Sequence, residues 1–341
     1  MPHFDPDAPA EAGSGIYGLP FTPDEAKVVV LPVPFEATTS YGAGAARGPE
    51  AVLAASHQVD LFDLDLGDFY LEGIAMLESP AEVEAWNREA VALARSLDEE
   101  GVDDAERARR IERVNAIGAS LNDWVYAQTK SWLDRGKIPC VLGGDHAVPF
   151  GAIRAYAERF PGMGVLHLDA HADLRQAFEG FTYSHASIFY NVMERIPGVA
   201  KLVQVGIRDF GKGEYDYIRT NAGRIVTHFD RHLANERFGG TTWKEQVKRI
   251  VEDLPERVYL SFDIDGLDPS LCPHTGTPVP GGLDFHQACA LIAGVVESGR
   301  TIVGLDLCEI APGPDGDEWD GNVGARLLYQ MIGWTLRSQR R

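Results

Sequence analysis

The 341 residues contain no Cys-x-x-Cys pair, no stripe of Lys and Arg, and no apolar run that approaches a membrane span. Each absence removes a class. The four cysteines, Cys140, Cys272, Cys289 and Cys308, sit in apolar or loop contexts. They read as reduced thiols of a cytosolic protein rather than as a disulfide framework. A nucleic-acid binder would carry a basic stripe, so that class is excluded. The first Lys is Lys27, and PHFDPDAPAEAGSG contains no signal-peptide apolar stretch, so no targeting segment is expected. No membrane association is expected either. The net charge is −20, which serves solubility and would also draw in a cationic substrate. At 45% hydrophobic and 24% charged, the chain can bury a large core and is not disordered.

Six apolar, β-branched runs read as buried strands: 27–33, 138–144, 163–169, 200–207, 257–265 and 301–310. Helical patterns follow at 147–159, 244–254 and 284–298, and residues 80–136 read as two or three helices. Alternating strands and helices predict a mostly parallel sheet covered on both faces. We expect a flexible N-terminal arm over 1–25 and one catalytic domain over 26–341. Residues 80–136 either serve an interface or shape the mouth of a pocket.

The polar clusters fall at strand ends, where open parallel sheets bind ligands. GGDH follows PCVL, DAHAD follows GVLHL, DID follows VYLSF, and CEI ends IVGLDL. Asp169, His171 and Asp173 stand at alternate positions, so an extended segment would turn all three to one face. Two carboxylates and an imidazole on one face call for a cation between them. Asp263 and Asp265 repeat the spacing, and His146 completes a set of six. Each motif alone has a plain structural explanation: solvated aspartates in a loop, or a histidine capping a helix. Together they point to two divalent ions roughly 3.5–4 Å apart. Four carboxylates, two imidazoles and no thiolate favour manganese over zinc, with nickel and cobalt sharing the same ligand preferences.

GGDH, DAHAD and SFDIDGLDPS, in this order, resemble the three signatures of the ureohydrolase (arginase and agmatinase) family. SYGAGAARGPEAVLAAS (40–56) resembles its GxRxGPxAIR-type segment, and GTPVPGGL (276–283) its GTPxPGGL loop. The resemblance runs from about residue 27 to 335. It implies an arginase-like three-layer α/β sandwich around a parallel eight-stranded sheet. It implies that His146 and Asp173 bind one manganese, His171 and Asp265 the second, and that Asp169 and Asp263 bridge them. It implies attack of a metal-bridging hydroxide on a guanidinium carbon, with release of urea and an amine. Glu309 matches the family's guanidinium-binding glutamate, and His185 its mobile histidine that assists proton transfer. Family members are commonly homotrimers or homohexamers.

Substrate choice rests on LRQAFEGFTYS (174–184). Phe178, Phe181 and Tyr183 either wall a pocket for an alkyl chain or pack internally. Arg175 either pairs with a substrate carboxylate or with a nearby acid such as Glu179. The N-terminal segment looks agmatinase-like, so agmatine is the expected substrate. The alternatives are arginase, guanidino-acid hydrolase or formimidoylglutamase activity through Arg175. A single-zinc deacetylase of the same fold would lack the GGDH histidine and the second bridging set. An inactive scaffold would have lost a bridging aspartate. Neither fits. His167, His228, His232, His274 and His286 are expected to be structural, with His167 a core residue.

Overall fold

The computed structural model describes residues 4–11, 13–97 and 99–340. Among these, eight strands form one sheet: β1 (Val28–Val33), β2 (Ile74–Met76), β3 (Ile138–Gly143), β4 (Met163–Leu168), β5 (Val199–Ile207), β6 (Ile225–Phe229), β7 (Arg257–Asp263) and β8 (Thr301–Cys308). Their order is β2-β1-β3-β8-β7-β4-β5-β6, and every pairing is parallel. The chain builds one edge with β1–β3, crosses to build the other with β4–β6, and returns β7 and β8 into the gap. The four central strands are therefore β3, β8, β7 and β4.

Among the described residues ten α-helices cover the faces: α1 (Gly48–Ser56), α2 (Ala81–Arg95), α3 (Asp104–Asp134), α4 (Phe150–Arg159), α5 (Ile188–Arg195), α6 (Lys212–Thr220), α7 (Asp230–Phe238), α8 (Trp243–Glu252), α9 (Phe285–Glu297) and α10 (Trp319–Gln339). α1, α8, α9 and α10 pack into one layer, and α2 to α5 into the other. Because both faces are covered, the strands are buried along nearly their whole length, as their uninterrupted apolar runs require. Alternate residues feed opposite cores. Leu166 and Leu168 join the layer of α9 and α10, whereas Met163 and Val165 join that of α4 and α5. Each such leucine contributes roughly 1.5–3 kcal/mol by leaving water.

Several helix starts are written in the sequence. Thr242 and Asp284 each accept the N–H three residues on, and Glu245 and Gln287 bond back to them. Two strands had no clear sequence signal: β2 has only three residues, and β6 is half-exposed along most of its length. The expected arm is anchored in its second half. Tyr17 is buried and donates its hydroxyl to the Ala325 carbonyl, because an aromatic side chain at this point fills the groove between α1 and α10. Residues 80–136 form α2 and α3. Asn115 of α3 clamps the 174–184 segment, donating to the Gly180 carbonyl and accepting from Thr182 N–H. This part of the chain thus supports the loop beside the site.

Candidate metal centre

The four central strands end side by side, and each delivers one cluster. β3 leads into His146, β4 into Asp169, His171 and Asp173, β7 into Asp263 and Asp265, and β8 into Glu309. Two glycines make the approach possible. A Cβ on Gly144 would collide with the Phe35 carbonyl oxygen, and one on Gly266 would lie 2.8 Å from the Asp169 nitrogen.

The local backbone differs from the extended segment expected for DAHAD. The strand stops at Leu168, Asp169 Oδ1 accepts the His171 N–H in a tight turn, and Asp173 takes a left-handed conformation with φ 54°. The three side chains converge through a turn rather than along one face of a strand. A non-glycine residue held at positive φ costs about 1–3 kcal/mol and persists where the surroundings impose it. Here the Asp173 carbonyl accepts the Phe189 and Tyr190 N–H groups. Glu309 sits in the same region, with φ 64°.

All six expected ligands come together. His146 Nδ1 lies 3.1 Å from Asp169 Oδ2, 3.3 Å from Asp173 Oδ2 and 3.4 Å from Asp263 Oδ2. His171 Nδ1 lies 3.0 Å from Asp265 Oδ2 and 3.5 Å from Asp169 Oδ1. Asp169 therefore turns one oxygen to each histidine and belongs to two of the three clusters of donor atoms found among the described residues; the third joins His146 to Asp306 and Cys308. Five of the six side chains are almost wholly buried; His171 is the more open one.

The groups in this cluster perturb one another strongly. Burial pushes the Asp173 carboxyl up to about 7, and the neighbouring Asp169 adds to the effect. Burial also drives Asp263 well above the carboxylate range, with Asp265 and Asp169 pushing the same way. Burial pulls on His171 in the opposite sense, but Asp265 and Asp169 outweigh it and raise the imidazole to about 12. Carboxylates and imidazoles held this close, with no Lys or Arg paired to them among the described residues, are a donor set for hard or borderline divalent cations. Two overlapping clusters sharing Asp169 fit a two-cation site.

Outside the ligands, His146 Nε2 faces Ser261 Oγ at 3.0 Å, and Ser261 donates to Asp306. That leaves Nδ1 for the cation. His167 departs from its expected role as a plain core residue. It is fully buried, but its Nε2 lies 2.7 Å from Asp169 Oδ2, and Gln204 holds its Nδ1 side at 3.0 Å. Its sequence position, alternate with 169, 171 and 173, carried that signal.

Glu309 points one oxygen at the GGDH turn: Oε1 accepts the His146 N–H at 2.9 Å. Its Oε2 is buried with no partner. Burial pushes its pKa well above normal, with the Asp145 carboxylate adding to it. His185 lies on the other side of the turn, where Thr38 Oγ1 accepts its backbone N–H at 3.0 Å. Neither Thr38 nor Asp145 was singled out from the sequence.

The 174–184 loop divides its expected residues. Phe178 is half-buried, with its ring edge-on to His185 at 6.0 Å. Phe181 packs into the core beside α3, and the Tyr183 ring meets that of Phe150 at a tilt of 53°, with centroids 5.7 Å apart. Arg175 Nε lies 3.7 Å from Glu214 Oε2, and its guanidinium covers the Phe178 ring at 4.8 Å. Its acidic neighbour is Glu214, not Glu179.

A parallel α/β sandwich with a His/Asp two-cation cluster over its central strand ends defines a class of metal-dependent hydrolases. The arginase family model matches residues 26–333, and the chain belongs to that family: it is a ureohydrolase, a hydrolase of linear amidines. It is 37% identical over 311 residues to the N(1)-aminopropylagmatine ureohydrolase of Thermus thermophilus, covering 91% of this chain and 90% of that one. It is 32% identical over 314 residues to the agmatinase of Salmonella enteritidis, covering 90% and 87%. The fold is that of the agmatine ureohydrolase of Thermoplasma volcanium, with a TM-score of 0.75, 24% identity and 97% of both chains covered. The fold and family expected from the motifs are both borne out.

Proposed function

We propose that the protein hydrolyses the guanidino group of a linear guanidino amine, agmatine or its N1-aminopropyl derivative, to urea and the free amine, using two manganese ions. The observation that carries this reading is Glu309. A buried carboxylate with one free oxygen lacks a cation, and a planar guanidinium offers paired N–H donors to it. His146 with Asp173, and His171 with Asp265, would hold one ion each, with Asp169 and Asp263 shared. Two such ions would lower the pKa of bound water to near neutrality and so supply the nucleophile.

The side chains supply the rest. Glu309 holds the guanidinium flat and still, which places its carbon against the nucleophile. Burial, with the charge of His171 as a second cause, pulls His185 down to about 4, so its imidazole is neutral at pH 7. A neutral imidazole takes up a proton as the nucleophile adds and returns it to the departing amine. Support for an amine rather than a carboxylate tail comes from Arg175, which is already engaged by Glu214 and Phe178. The names of the relatives that match over most of the chain point the same way.

The test is urea release by manganese-loaded protein from agmatine, N1-aminopropylagmatine, arginine and 4-guanidinobutyrate, with metal content measured alongside. Turnover of either amine, with two metals per chain, is the expected result. Turnover of only the two acids would overturn the amine-tail reading.

A further inference from the structure

The aspartate of GGDH is not a metal ligand in this reading, yet it is fully buried. Three donors converge on it: Ala147 N–H on Oδ1 at 3.1 Å, and on Oδ2 the Thr38 N–H at 3.2 Å and the Thr38 hydroxyl at 2.8 Å. Thr38 itself is only 3% exposed, so its hydroxyl is shielded from bulk water. A hydroxyl has one proton to donate. That proton goes to Asp145, which leaves Thr38 Oγ1 able only to accept. It accepts the His185 backbone N–H at 3.0 Å and faces the ring Nδ1 at 3.4 Å.

We propose that Thr38, oriented by Asp145, is the positioning residue for His185: its hydroxyl oxygen takes the Nδ1–H of the imidazole and leaves Nε2 as the atom that exchanges the proton. The role of His185 in this proposal rests on the function proposed above; the tautomer does not. The relay runs from Asp145 through Thr38 to His185. It joins three segments far apart in sequence, so a shift of the GGDH turn moves the imidazole with it. In the reaction the proton arrives at Nε2, leaving the ring cationic with Nδ1–H still held by Thr38. It then departs from Nε2 to the leaving nitrogen as the C–N bond breaks. No other group is consumed.

Ser184 is the competing partner. Its Oγ is also 3.4 Å from Nδ1 and accepts the Ala186 N–H at 3.2 Å. If the Ser184 proton pointed at Nδ1, the opposite tautomer would result, and Thr38 would hold only the backbone.

The experiment compares Thr38→Val, Thr38→Ser and Ser184→Ala with the wild type. In manganese-loaded protein, Thr38→Val should lower kcat for the best substrate by about 10-fold or more, a fraction of what a general acid-base group supplies. KM and metal content should stay near wild type, and Thr38→Ser should recover most of kcat. A parallel loss of kcat, KM and metal in both Thr38 variants would overturn the proposal, as would no change in Thr38→Val. Nitrogen-15 histidine spectra of the diamagnetic zinc-loaded protein read the tautomer without turnover. The His185 signal, assigned by its loss in His185→Asn, should show Nδ1 protonated in wild type and in Ser184→Ala, but not in Thr38→Val. An Nε2-protonated ring in wild type would overturn it. If the wild type hydrolyses no guanidino compound, the function falls, and the spectra still decide the relay.

Discussion

Glu309 Oε1 accepts the backbone N–H of His146 at 2.9 Å, across 163 residues of chain. The bond ties the end of β8 to the end of β3 and fixes the direction of the carboxylate. It leaves Oε2 buried and free, beside the His/Asp cluster.

Glu309→Gln tests what that free oxygen does. The amide can keep the bond to His146 but loses the charge. A hydrogen bond to a charged group is worth about 1.5–3 kcal/mol, so kcat/KM should fall by roughly 10- to 150-fold or more, with two metals retained. Steady-state kinetics with metal analysis on the same sample checks this. Loss of metal instead would make Glu309 part of the cation site.

Asp169 and Asp265 should differ in what they cost. Asp169 faces both histidines and Asp265 only one. Asp169→Asn should therefore weaken both ions, taking bound metal from about two per chain to below one. Asp265→Asn should leave about one. Metal content after equilibrium dialysis separates them; equal losses would remove the shared role of Asp169.

Removing the cations should destabilise the fold. They bind the native cluster and not the unfolded chain, so each contributes about 2.7 kcal/mol when present at a hundredfold excess over its Kd. Chelation should lower the melting temperature, and manganese should restore it. An unchanged melting temperature would argue against a buried two-ion site.

The pH profile should lack a His185 limb near neutrality. Its folded pKa of about 4 lies below the ordinary value, so the neutral ring persists as pH falls and is lost only toward 4. His185→Asn should reduce kcat about 100-fold or more. The ratio to wild type should stay constant from about pH 5.5 to 8, well above the pKa of the buried ring. A ratio that collapses near pH 6.5 would show an ordinary histidine.

Asn115→Ala tests the clamp on the 174–184 loop. Two hydrogen bonds at a half-buried side chain are worth about 1–2 kcal/mol together. The variant should lose up to that much stability, and its Thr182 amide should exchange faster by hydrogen–deuterium measurement. If exchange does not change, α3 does not hold the loop.

The sequence by itself determined which His and Asp side chains are the candidate cation donors. Side chains that bind hard or borderline divalent cations are mostly His, Asp and Glu, and in an open parallel sheet ligands gather at strand ends, so GGDH, DAHAD and DID were legible as short motifs. Most buried strands were legible for a similar reason: a strand covered on both faces is apolar throughout, whereas the three-residue β2 and the half-exposed β6 left no such run. The tertiary structure decided what depends on partners far along the chain. Strand order placed β3, β8, β7 and β4 side by side and so brought Glu309 onto His146. The turn at Asp173 replaced the expected extended face. Packing made Phe181 a core residue, gave Arg175 to Glu214 and brought His167 onto Asp169. Thr38 and Asp145 meet His185 only because three loops close over one strand end, and spacing within any one segment carries no record of that contact.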